Sequence, residues 1–213
     1  GGELNDLAVA DGMDAMVLMY HLTKEQKYLD AFVACADWLI EAQLGPPTWG
    51  WALSYDEGNQ PIWARPWEPP AVALGGASTA LRSLDDAYYV TGDPKYIRAP
   101  RKYFEWVHTA RVDGKYYAWY DPATGRPIVA DHRRTWDITD PEEMAQFREE
   151  SVRLSYAKPR DYNPGVRIQQ IDAMLEAEEP PVWAPEPDPA QLAEQMPELI
   201  ERVRQLVEGQ NED

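Results

Sequence analysis

The sequence predicts an all-α fold: repeated helix hairpins stacked as an α/α toroid-like array, with heavy aromatic loops on one face. Three observations predict it. Tyr20 and Tyr88, Tyr28 and Tyr96, and Trp38 and Trp106 recur at one spacing (88 − 20 = 68) with no gap needed. Lys27 and Lys95 precede the second pair, and the acids Asp37 and Glu105 precede the third. Within each copy the apolar residues follow helical spacing, and each copy ends in a similar aromatic stretch. A period of this length marks a duplicated supersecondary unit. Stacked hairpins each bury one face and collect their loops at one mouth. Two copies make a marginal toroid, so further neighbours or a C-terminal segment are expected to cover the open edge.

The elements follow in order. Residues 8–20 carry Met13, Met16, Val17 and Tyr20 at helical spacing, and Thr23-Lys24 breaks the run. Residues 25–43 present Tyr28, Leu29, Phe32, Val33, Ala36, Leu39 and Ile40 on one broad stripe. In the second copy, residues 78–90 form the first helix. Thr91-Gly92-Asp93-Pro94 is a turn, with Pro94 suited to the first helical position. The next helix runs from about 94 to 109, and Pro100 inside it implies a kink or an early break. The loops rhyme as well. Trp51 to Asp56, then Pro61-Ile62, parallels Tyr117 to Asp121, then Pro127-Ile128, as short aromatic strands around a turn.

The repeat is lost near Asp137, which divides the chain into a repeat domain (1–136) and an acidic helical extension (137–213). Thr139 or Asp140 is placed to cap a helix whose first turn carries Glu142 and Glu143. A further helix is expected over 166–177, an extended Pro-rich acidic linker over 178–189, and an amphipathic helix over 191–208.

With 213 residues the chain is long enough for a sizeable core. The net charge of −17 argues against a nucleic-acid partner, because phosphate binding needs clustered Lys and Arg. No stretch approaches the ~20 apolar residues of a membrane span. The one cysteine, Cys35, lies in an apolar helical pattern and has no partner for an internal disulfide. His21, His108 and His132 lack metal-ligand spacing, and zinc, nucleotide and Ser-His-Asp signatures are missing. The acid concentrates after Asp137, whereas the earlier loops carry Arg65, Lys115, Arg126, Arg133 and Arg134. Local sign at a site outweighs global charge, because screening acts beyond about 8–10 Å.

The segment 52–70 is the most loaded stretch of the chain. It reads Tyr55-Asp56, then Pro61, then Trp63-Ala64-Arg65, then Glu68-x-Pro70. Its prolines exclude a helix, and ordered loops of this kind carry function on rigid scaffolds. In that order the residues resemble the C-terminal half of the pectate lyases of polysaccharide lyase family 10. Two weaker matches follow the same order: Leu4-Asn5-Asp6-Leu7-Ala8, and Trp119-Tyr120-Asp121 with Gly125-Arg126-Pro127-Ile128. The resemblance spans roughly residues 3–136. The chain departs from the family in lacking its upstream acidic segment, in Leu7 replacing a glycine, and in Trp119 replacing an arginine. The Gly-Gly start reads as a piece of a longer protein, whose upstream part would be this chain's partner.

The resemblance implies calcium-assisted β-elimination of a polyuronate in an extracellular or periplasmic setting. Such a lyase removes the proton beside the uronate carboxylate, so a cation that neutralises that carboxylate is the main electrostatic need. By resemblance, Arg65 is the proton-abstracting base. Because arginine is protonated at ordinary pH, the same residue equally suits a carboxylate clamp, or a salt bridge to Glu68 that locks the loop. Asp6 is the calcium-side acid, with helix capping as its structural alternative. Trp63, Trp67, Glu68, Trp119, Tyr120, Arg126, Arg133 and Arg134 are the candidate substrate contacts, the rings by stacking on sugars. Trp49 and Trp51 are further rings of this kind, at least half of which a helical core would claim. The rival class is a catalytically inactive glycan-binding or structural domain on the same scaffold.

Overall fold

Each repeat begins with a two-residue strand, runs through a helix hairpin, and ends in a β-hairpin that folds back on that first strand. The computed structural model describes residues 1–160 and 164–177. The first repeat holds β1 (Gly2–Glu3), α1 (Ala8–Thr23), α2 (Gln26–Glu41), β2 (Ser54–Tyr55) and β3 (Pro61–Ile62). The second holds β4 (Val72–Ala73), α3 (Leu74–Thr91), α4 (Lys95–Thr109), β5 (Trp119–Tyr120), β6 (Pro127–Asp131) and β7 (Arg134–Asp137). Two helices follow, α5 (Pro141–Glu150) and α6 (Gly165–Glu176).

The all-α toroid-like expectation is therefore corrected. The strands form two antiparallel sheets, ordered β1-β2-β3 and β4-β5-β6-β7, so the fold mixes helix and sheet. The reason is the backbone on either side of each hairpin. The aromatic loops place their N–H and C=O groups opposite the segment entering the first helix, and buried polar backbone must pair. Val72 pairs with Tyr120 and Ala73 with Trp119, as Gly2 pairs with Tyr55 and Glu3 with Ser54.

The 68-residue spacing holds down to single hydrogen bonds. The Lys24 N–H donates to the Tyr20 carbonyl at 2.8 Å, and the Gly92 N–H donates to that of Tyr88 at 2.8 Å. Lys24 and Gly92 both adopt the left-handed conformation that ends a helix. Just before them, the Thr23 hydroxyl donates to the Met19 carbonyl and the Thr91 hydroxyl to that of Ala87, each at 2.7 Å. The rings repeat too. Trp38 meets Tyr55 edge-on at 5.7 Å, and Trp106 meets Tyr120 edge-on at 5.4 Å. Each tyrosine hydroxyl accepts an N–H from three residues back, Ala52 at 2.7 Å and Tyr117 at 3.0 Å.

Helix α4 continues through Pro100, which is buried on its core side. The main core lies between the four hairpin helices and the inner faces of the short strands. It includes Phe32, Leu39, Trp51, Leu84, Ile97 and Tyr103. The fully buried Trp51 satisfies its indole by donating to the Leu39 carbonyl at 2.7 Å. Asp140, not Thr139, caps α5 by accepting the N–H groups of Glu142 (2.8 Å) and Glu143 (3.2 Å). β7 ends on Asp137, at the edge of the expected extension, and α6 packs on α4. The expected linker over 178–189 and helix over 191–208 lie outside the described residues. Among the described residues, no helix is long and apolar enough to cross a membrane.

Candidate functional site

The entry to α1 is where the two repeats part. Strands β1 and β4 are offset by 70 residues (72 − 2 = 70), whereas the helices keep 68. The Leu4 N–H donates to the Leu53 carbonyl and the Leu74 N–H to that of Ala118, so Leu4 and Leu74 are equivalent. The first repeat thus carries two extra residues between strand and helix. They are absorbed in a 3-10 turn over Asn5–Leu7, with Asp6 (φ 52°) and Leu7 (φ 63°) both left-handed. Two successive non-glycine residues in that region are unusual and strained. In the second repeat the same place is occupied by Gly75-Gly76. A Cβ on Gly76 would come within 2.9 Å of the Ala52 carbonyl oxygen, so the backbones there touch.

The extra turn carries Asp6 outward to the 61–70 loop. There the Arg65 guanidinium donates through Nη2 to Asp6 Oδ2 at 2.6 Å and through Nη1 to Glu68 Oε1 at 2.8 Å. Glu68 is only 5% exposed, and its second oxygen accepts from Asn5 Nδ2 at 3.2 Å. The Glu68 and Asp6 carboxylates, in that order, raise the Arg65 pKa further above its already high value. An arginine held this way cannot give up its proton, and both of its terminal nitrogens are in use. Of the three roles the sequence left open for Arg65, the structure displays the locking salt bridge.

Beside this cluster lies a cleft of about 280 Å³. Asn5, Asp6, Ser78, Thr79, Trp119 and Arg160 line it, over an aliphatic floor that includes Leu4, Leu53 and Leu74. No Cβ fills the space at Gly75. Trp119 is 5% exposed, packs on Tyr156 at 5.1 Å, and keeps a buried indole N–H with no acceptor among the described residues. Arg160 is brought in by a two-way backbone pairing with Tyr116, at 2.7 and 3.2 Å. Sequence reasoning missed Arg160, Ser78 and Thr79. Arg160 is one of several basic residues after the repeat, with Arg148, Arg153 and Lys158 before it, and no motif in the chain marks it out.

The other candidates are spread out. Trp63 is half-buried, and neither it nor Trp67 lines the cleft. Trp67 lies under the Arg153 guanidinium, 3.4 Å from the ring centre. Tyr120 is a core residue, its phenol pushed up to about 12 by burial. Arg133 meets the 65–68 turn through its backbone, its N–H donating to the Pro66 carbonyl at 2.8 Å. Arg134 pairs with Glu150 at 2.6 Å and lies over Trp136. Arg126 pairs with Asp137 at 3.1 Å and borders a second, polar cleft with Asp121 and Glu143.

Calcium seeks six to eight oxygen ligands. Asp6 offers one exposed carboxylate already held by a guanidinium, and Glu68 is buried against the same cation. Among the described residues no group of three acids, histidines or cysteines stands together. These two carboxylates do not by themselves build a calcium site among the described residues. No protein-family model matches the chain, and no curated protein matches it significantly.

Proposed function

We propose that this chain is a glycan-recognition domain on a pectate-lyase-like scaffold, binding an acidic sugar in the cleft without cleaving it. The observation that carries the reading is the double capture of Arg65 by Asp6 and Glu68. Proton abstraction needs a group able to accept a proton close to the pH of action, and this guanidinium is held in the opposite state. The captured Arg65 serves instead as a strut that ties the loop at 65–68 to the turn at Asn5–Leu7.

Recognition falls to what faces the cleft. Ser78 presents an exposed hydroxyl that donates to the Gly75 carbonyl and keeps its lone pairs as acceptors, and Asn5, whose Nδ2 is held by Glu68, keeps its amide oxygen, both suited to sugar hydroxyl groups. The apolar floor and the Trp119 ring suit the aliphatic face of a pyranose. Arg160 is the cation that fits a uronate carboxylate, by a two-pronged contact that a lysine could not reproduce. Arg65 offsets part of the Asp6 charge that such a ligand meets, sharing its own charge with Glu68. A polyuronate ligand implies action outside the cytoplasm.

The rival reading is β-elimination by the same cluster. It draws on one observation: Asp6, Arg65 and Glu68, which the family resemblance singles out, meet in space although Asp6 and Arg65 are 59 residues apart in the chain. Titration with polygalacturonate, alginate and glucuronan, with calcium or with chelator, separates the two. Binding that weakens at least tenfold in Arg160→Ala, with no rise in ultraviolet absorbance from an unsaturated product, supports recognition. Unsaturated product that disappears in Arg65→Lys supports the lyase and overturns the proposal.

A further inference from the structure

The first four backbone N–H groups at the start of α3 are those of Ala73, Leu74, Gly75 and Gly76, and two of them are taken. The Ala73 N–H donates to the Trp51 carbonyl at 2.8 Å, and the Leu74 N–H to that of Ala118 at 3.1 Å. Those of Gly75 and Gly76 come too early to meet a carbonyl one helical turn back. The N-cap is Ala73, so no side chain caps them, and among the described residues they meet no acceptor. Gly76 is required where its backbone touches the Ala52 carbonyl, but nothing of that kind explains Gly75. A Cβ there would meet nothing within 4 Å, and its φ is not left-handed. A side chain at that position would stand instead in the cleft, which Ala73, Leu74, Gly75 and Ser78 line along the helix start. A glycine that neither packing nor conformation demands suits a backbone left open to close approach. An independent donor adjoins this helix start. Trp119 is the ladder partner of Ala73 and lines the same cleft. It is 5% exposed, and its indole N–H is unpartnered among the described residues. A buried donor left without an acceptor is costly.

From this we infer that the start of α3 is the anion subsite of the cleft, and that it takes a free carboxylate and rejects the corresponding ester. The inference rests on the acidic-sugar reading above and says where the acid group of that sugar sits. The helix start supplies the Gly75 and Gly76 N–H groups and the positive end of the α3 dipole. The Trp119 indole adds a third N–H, and Arg160 adds a full positive charge at the same cleft. A carboxylate brings two oxygens with about four lone-pair sites, enough to answer these donors together. A methyl ester has the same shape nearby but no charge, so it forfeits the attraction of both the dipole and the guanidinium. Asp6, the acid on the cleft, is drawn to Arg65. The subsite therefore discriminates by ionisation of the ligand, while the Ser78 hydroxyl and the Asn5 amide oxygen meet its neutral hydroxyl groups.

Trigalacturonate and its methyl-esterified form, titrated into the full chain by calorimetry and by NMR of the amide and indole protons, test the inference. The wild type is expected to bind the free acid about tenfold more tightly than the ester. The Gly75, Gly76 and Trp119 indole proton signals should move with the acid and stay in place with the ester. Gly75→Val puts a branched side chain in the path of the carboxylate and should weaken binding of the acid about fivefold or more. Gly75→Ala, whose Cβ meets only open space, should lose affinity in the same direction with no loss of thermal stability. Trp119→Phe keeps an aromatic ring, deletes the unpaired donor, and should weaken the acid as well. Acid bound as tightly by both Gly75 variants as by the wild type, or ester bound as tightly as acid, would overturn the inference. If Arg160→Ala still loses binding in that case, sugar recognition in the cleft stands without this subsite. A wild type that binds neither trigalacturonate nor any uronan polymer would overturn the recognition reading and the subsite together.

Discussion

In the second repeat the chain passes straight from β4 into α3, whereas in the first it inserts a strained turn at Asn5–Leu7 between β1 and α1. The rest of the two units matches closely, from the helix-ending hydrogen bonds to the edge-on Trp–Tyr pairs. The difference teaches where new chemistry enters a duplicated scaffold. Two extra residues, placed where the helix starts, turn a closed backbone contact into one wall of a cleft and deliver an acid to a distant loop. Gly76 shows the closed version, touching the Ala52 carbonyl. Ala8, its equivalent, carries a Cβ because the inserted turn has changed the approach.

The largest effect that can sharpen this comparison lies in the matched rings. Trp106 is 8% exposed and Trp38 half-buried. Trp106→Ala should cost about 3–5 kcal/mol, and Trp38→Ala clearly less, in chemical denaturation of both variants. Equal losses would mean that the two rings support the fold alike despite their unequal burial.

The glycines come next. Gly76→Ala forces a Cβ against backbone and should destabilise by about 1–3 kcal/mol. Gly75→Ala meets open space and should be neutral or stabilise by up to about 1 kcal/mol. A tolerated Gly76→Ala would break the claim that the second repeat is closed at this point.

A similar loss is expected at the buried acid of the cluster. Glu68→Gln keeps the shape but weakens its contact with Arg65, and should cost about 1–3 kcal/mol. The same substitution should loosen the 65–68 loop, read as faster amide exchange. Unchanged exchange would show that the salt bridge is not what holds the loop.

The smallest effect concerns Asp86 on α3. Burial, then the nearby Asp14 carboxylate, raises its pKa above the ordinary carboxylate value. A folded-state pKa above the unfolded one means that the folded form binds more protons between the two values. Its contribution therefore favours folding at low pH and is lost as pH rises through that window. Asp86→Asn should raise Tm slightly near neutral pH and leave less gain at acidic pH, where the carboxyl takes up its proton. A gain that persists at low pH would point to packing instead of charge.

Much of this architecture was legible because helices are long enough to show a period. Tyr20, Tyr28 and Trp38 with their partners revealed the duplication, and the hairpins formed where the apolar stripes lay. The aromatic hairpin strands were legible from the rhyming loops, but the strands that join them into sheets were not, because two-residue segments such as Gly2–Glu3 and Val72–Ala73 are too short to display alternation. They are fixed by backbone pairing across 50 residues or so of chain, which side-chain pattern does not encode. Within the candidate site, the Arg65–Glu68 pair was visible from its three-residue spacing. The capture of Arg65 by Asp6 depends on the left-handed turn, and no glycine advertised it. Arg160 reached the cleft through a backbone bridge to Tyr116 that leaves no trace in composition or spacing.

The central claim is that the inserted turn makes a recognition cleft while its acid holds Arg65 out of chemistry. Polygalacturonate added to the wild type and to a variant lacking Asp6 and Leu7, with affinity and unsaturated product followed together, tests it most directly. The account predicts that the wild type binds and yields no product, and that removing the two residues abolishes binding while the helical signal is retained. Product formed by the wild type, or binding that survives the deletion unchanged, would contradict it.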